Sequence, residues 1–74
     1  MNIDENLGTM VRKRRIQKNL TQQQLAELSG ITQAHISRIE SMRYNPSSVT
    51  ICKLAKALDI PVITLLAAVE RKAV

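Results

Sequence analysis

The apolar positions of this 74-residue chain recur every three to four residues, and no segment alternates with period two. That pattern predicts five helices and no strands. Leu7, Met10, Val11 and Arg14 recur at helical spacing, with Ile3 one turn earlier, and set a first helix over about residues 4–18. Asp4 and Glu5 at its start, and Arg14, Arg15 and Lys18 at its end, suit the helix dipole. Gly8 lies inside it and costs about 1 kcal/mol against Ala, which close packing of another helix would explain.

Thr21 followed by Gln24 makes a capping box, so a second helix runs over about residues 22–29 with Leu25, Ala26 and Leu28 inward. Gly30 ends it, because glycine takes a left-handed backbone without steric cost. Thr32 caps a third helix over about residues 33–41, with Ile36 and Ile39 inward. In the loop "RYNPSS", Pro46 stops any helix and Ser47 or Ser48 can cap the next. A fourth helix, about 48–58, buries Ile51, Leu54, Ala55 and Leu58. After Pro61 a fifth runs over about 62–72, with Val62 and Leu65 serving the core. The expected fold is all-α, a single five-helix domain over residues 1–74 with no linker, repeat or low-complexity tract.

Composition narrows the function. So short a domain buries only roughly 60 % of its unfolded surface. Cys52, the one cysteine, permits no disulfide framework and fits a reducing cytoplasm. It reads as a small, partly buried apolar residue. No apolar stretch approaches the roughly 20 residues of a membrane span, and the acidic N-terminus is not an export signal. From Arg12 to Lys56, nine cations face only Glu27 and Glu40. So basic a body suits a polyanion, although a solvated face has the same composition. The cations are not gathered on one amphipathic helix, which disfavours a membrane surface. Tyr44 is the only aromatic residue, so single strands would have little to stack on and duplex DNA is favoured.

The turn at Gly30 explains the two short central helices. A short turn with one Gly sets two helices at roughly 90–120°. Ala26 lets them approach, and Ile31 and Ile36 plug the angle. The third helix then presents Gln33, Ala34, Ser37 and Arg38 on its outer face, a shape that suits a major groove.

Four groups of residues carry a wider likeness: Leu7, Val11, Arg12 and Arg15; Leu20-Thr21-Gln22 with Leu25-Ala26; Gly30, Ile36, Arg38, Ile39 and Glu40; and Asn45-Pro46-Ser47, Thr50, Leu54-Ala55 and Ala57-Leu58. In this order and spacing they resemble the phage lambda-repressor-like helix-turn-helix family, also called the xenobiotic-response-element type, over about residues 7–66. Three positions depart from it. Met42 stands where many members carry Gly, Ser48 where an apolar residue is usual, and Ile63 where a polar one is usual.

The resemblance implies a DNA-binding transcriptional regulator with no cofactor. Gln33 and Ala34 match the family's base-reading positions, and Ser37 and Arg38 lie on the same face. Gln can pair with adenine, Ala can meet a thymine methyl, and Arg can read guanine or grip phosphate. Gln22, at the start of the second helix, matches a phosphate-holding position, which suits a helix N-terminus. Thr32, His35, Arg43, Tyr44 and Asn45 border the groove as further phosphate contacts. Arg15 and Glu40 match a structural ion pair between the first and third helices, so Arg15 is not expected to touch DNA. His35 has no metal-ligand or catalytic company.

The fifth helix holds more apolar residues than one face can bury, and Ile63, Leu66 and Val69 form a candidate homodimer interface. The expected partners are therefore double-stranded DNA and a second copy, with no membrane and no small-molecule ligand. Nothing follows the fifth helix, so no effector domain is expected. A phage repressor, a restriction–modification controller and an antitoxin-type autorepressor all fit. The alternative is a protein-interaction module that kept the fold without DNA binding; the basic body and polar reading face favour DNA. An enzyme is disfavoured, because no nucleophile–base pair, metal cluster or phosphate loop is evident.

Overall fold

Each of the first four helices begins where a side chain can satisfy an open backbone N–H. The computed structural model describes residues 6–42 and 46–72, with side chains as far as Val69. Asn6 caps α1 (Leu7–Gln17), its side-chain oxygen accepting from the Thr9 N–H at 2.9 Å. The helix thus opens later than the charge pattern suggests, because Asn6 is a better N-cap than any charge is a start signal. Asp4 and Glu5 lie outside the described residues.

Thr21 and Gln24 form the capping box that opens α2 (Gln22–Ser29): the Gln24 N–H donates to Thr21 Oγ1 at 3.0 Å, and the Thr21 N–H donates to Gln24 Oε1 at 2.8 Å. Thr32 caps α3 (Gln33–Glu40) through the His35 N–H at 3.2 Å. Ser47, rather than Ser48, caps α4 (Ser48–Leu58). After Pro61 comes α5 (Val62–Lys72). Among the described residues no helix is long and apolar enough to cross a membrane.

A left-handed residue stands within two positions of the end of each of the first four helices. Gly30 ends α2 at φ 76°, and its N–H donates to the Ala26 carbonyl. Asn19, Met42 and Asp59 also have positive φ, at 58°, 64° and 56°. Asn and Asp tolerate that region, and Met does not. Asp59 caps α4 and receives the Lys18 ammonium at 2.8 Å, which ties the ends of α1 and α4 together. The hydrogen bond and charge of Lys18 hold the Asp59 carboxyl below its ordinary pKa. The contact is therefore complete at neutral pH and is lost only as pH falls through that lowered value.

One core runs through all five helices: Leu7 and Val11 from α1, Leu25 from α2, Ile36 and Ile39 from α3, Ile51, Leu54, Ala55 and Leu58 from α4, and Leu65 and Ala68 from α5, with Ile31 from the turn. Three inward assignments do not hold. Leu28 is 62 % exposed, because the buried row of α2 is centred on Leu25 and Ser29. The Ser29 hydroxyl earns its inward place by accepting from the Ile31 N–H and donating to the Ala26 carbonyl. Val62 lies at the rim, since the buried row of α5 runs through Leu65 and Ala68. Cys52 is exposed because Ile51, Leu54, Ala55 and Leu58 already fill the inward row of α4.

Gly8 now has its reason. A methyl on it would collide with the carbonyl oxygen of Ile39 and stand 3.0 Å from that of Glu40 and 2.9 Å from Met42 Cγ. The backbone of α1 therefore lies against the C-terminal end of α3 with no room for a side chain. Gly8→Ala should destabilise the fold by about 1–3 kcal/mol despite the better helix propensity of Ala, because overpacking outweighs it. Urea unfolding checks this, and an unchanged or raised midpoint would show that the two helices can separate freely.

Candidate nucleic-acid interface

Three helix segments meet beside the C-terminal end of α3, and a buried ion pair joins them. Arg15 Nε donates to Glu40 Oε2 at 2.7 Å, and a second guanidinium nitrogen donates to Glu40 Oε1 at 3.1 Å. The third arm donates to the Leu20 carbonyl at 2.8 Å. The side chains are only 13 % and 5 % exposed. The Gln22 amide also donates to Glu40 Oε1, at 3.2 Å. Glu40 is the last residue of α3, where the helix dipole disfavours a carboxylate, so these donors offset an unfavourable position.

This clamp joins the end of α3 to α1 and to the start of α2. α2 and α3 pack on each other across the turn at Gly30, over buried Ile31 and Ile36. Gln33, Ala34, Ser37, Arg38 and Ser41 are exposed on the opposite side of α3, as is Thr32 at its cap. The residues named for base contact thus share one open face. His35 is half-buried beside it.

Gln22 is half-buried and tied to Glu40, so its side chain is more engaged than a simple helix-start residue. Arg43, Tyr44 and Asn45 lie outside the described residues. A shallow depression of about 240 Å³ opens between α1, α2 and α3, lined by Arg12, Arg15, Gln22, Ser37, Glu40 and Ser41. Neither Arg12 nor Ser41 stands out in the sequence as part of this surface. A run of four cations does not distinguish its members until each is placed on a side of the helix. The candidate dimer residues are not equivalent: Ile63 is 76 % exposed, Leu66 is 37 % exposed, and Val69 packs partly against the core.

The family model for helix-turn-helix proteins matches residues 11–65. The chain belongs to the lambda-repressor-like helix-turn-helix family. Among its relatives is the transcriptional repressor RghR of Bacillus subtilis, 48 % identical over 58 residues. That match takes in 77 % of this chain but 43 % of RghR, so the chain spans under half the length of that relative. The control protein C.SmaI of Serratia marcescens is 42 % identical over 66 residues, covering 89 % of this chain and 79 % of the relative. Among solved structures, the Bacillus subtilis biofilm regulator SinR in complex with DNA superposes with a TM-score of 0.76 at 33 % identity, covering 81 % of this chain and 97 % of that one.

In this helix-turn-helix protein Arg15→Ala should cost about 3 kcal/mol of stability, because it strands the Glu40 carboxylate in a buried setting. Arg14→Ala, on a neighbouring and more open position, should cost under about 0.5 kcal/mol. Parallel urea melts decide it. Equal midpoints for the two variants would mean that the pair does not hold the helices.

Proposed function

We propose that this protein is a sequence-specific, double-stranded-DNA-binding transcriptional regulator that lays α3 in the major groove. The observation that carries the reading is the open face of α3, where Gln33, Ala34, Ser37 and Arg38 project from a helix fixed by the Arg15–Glu40 pair. Gln33 and Ala34 sit in the first turn of α3, nearest the groove floor, and Arg38 is long enough to reach a guanine edge from the same face. Thr32, His35, Gln22, Arg43, Tyr44 and Asn45 hold phosphates and set register. The DNA in the SinR complex and the repressor and controller names of the relatives support the assignment. The protein binds rather than catalyses, works in the cytoplasm and needs no cofactor or small-molecule ligand.

Gln33→Ala should lose about 1–3 kcal/mol of discrimination at one or two operator positions, leaving the others unchanged. Selection from a random duplex pool gives the operator, and affinities for single-base variants at fixed salt give the discrimination. If every ratio in that panel is unaltered, α3 does not read bases through Gln33. If no sequence is enriched at all, the reading as a sequence-specific regulator fails and a protein-interaction module takes its place.

The active form is a homodimer on a two-fold operator. Ile63 and Leu66 supply exposed apolar surface on α5, flanked by half-buried Val69. Half-sites should then lie about 10–10.5 base pairs apart or a multiple of that. Sedimentation that finds one copy both free and on the selected duplex would rule the dimer out.

A further inference from the structure

The four consecutive cations Arg12, Lys13, Arg14 and Arg15 leave α1 in different directions, since each residue advances about 100° around a helix. Arg15 is committed to Glu40 and the Leu20 carbonyl. Lys13 and Arg14 border a separate groove of about 190 Å³ with Met10, Gln17, Ile60 and Thr64, between α1 and the start of α5. That groove lies on the side of α1 turned away from Gly8 and Arg15, and so away from α3. Arg12 goes the other way. It lines the depression beside α3, together with Gln22, Ser37 and Ser41.

The electrostatics of that depression are uneven. Glu40 is the one carboxylate in its lining, and it already receives two bonds from Arg15 and one from Gln22. The charge of exposed Arg12 is therefore not balanced there. Ser37, in α3, and Ser41, the residue that caps its end, continue the row that begins at Gln33. A DNA strand following that row from the base-reading end would run beside the depression that Arg12 lines.

We propose that Arg12 is a DNA-phosphate ligand, which binds one backbone phosphodiester in the depression between α1 and the Ser37–Ser41 row of α3. This rests on the duplex-binding reading given above. Arg12 supplies affinity and register and reads no base. Lys13 and Arg14, although adjacent in sequence, face away from the nucleic acid.

Arg12→Gln, Lys13→Gln and Arg14→Gln should be compared with the wild type on the selected operator and on an unrelated duplex, by fluorescence anisotropy over a range of salt. Urea melts accompany each. Arg12→Gln should lower the slope of log affinity against log salt by about one unit, and weaken both duplexes by about tenfold at 0.1 M salt. Its urea midpoint and its ratios across operator variants should match the wild type. The other two variants should change the slope by less than about half as much. If Arg12→Gln keeps the wild-type slope, or if Lys13→Gln or Arg14→Gln takes the larger loss, the assignment is overturned while DNA binding stands. A change in base ratios with Arg12→Gln overturns it as well. Wild-type protein that binds no duplex at low salt overturns both this assignment and the reading beneath it.

Discussion

The whole arrangement depends on the guanidinium of Arg15. It reaches the α3 carboxylate, Glu40, with two bonds and the α1–α2 turn with a third, while Gln22 joins the same carboxylate from the start of α2. One ion pair thus joins the end of α1, the α1–α2 turn and the start of α2 to the end of α3. Lysine could not replace the guanidinium, because a single ammonium cannot bridge both carboxylate oxygens and a carbonyl in fixed directions. The pair need not raise net stability to matter. A buried ion pair often does little better than an apolar substitute, but removing one partner strands the other charge. Here the pair sits at the last residue of the helix whose outer face is open.

The geometry also divides labour among the cations. Lys18 joins Asp59 and braces the far ends of α1 and α4. Arg15 braces α3 from inside. Arg12, Arg38, Lys53 and Lys56 are exposed. A charge count over the chain mixes these uses, which is why composition alone did not separate a polyanion-binding surface from a solvated one.

What was legible in the sequence was mostly local. The Thr21–Gln24 box, the Gly30 stop and the Thr32 cap are decided within four residues of chain, and each appears in the structure. The inward rows of α3 and α4 were equally plain, because their apolar residues leave one choice. α2 was harder. Leu28 looked inward because it is leucine, whereas Ser29 takes the place by satisfying two backbone groups. The start of α1 was obscured by Asp4 and Glu5, which suit a helix start anywhere within a turn, while the cap at Asn6 is a specific hydrogen bond. The partnership of Arg15 with Glu40 has no local signal at a separation of 25 residues and came from family resemblance. The direction of Arg12 came from neither, because it depends on which side of α1 meets α3.

Of the four described residues with left-handed backbones, only Gly30 is a glycine. Asn19, Asp59 and Met42 give the unfolded chain fewer conformations to lose than glycine would, but a side chain at positive φ also strains the native state. For Asn and Asp the native strain is modest, since their short polar side chains suit this region. Met42 has no such help. Its positive φ follows directly on α3, and its side chain lies against Gly8 of α1. The end of α3 is therefore kept in place from outside its own sequence. Taken alone, residues 33–42 would relax at their last turn, so the length and exit path of this helix belong to the assembled fold and not to the segment.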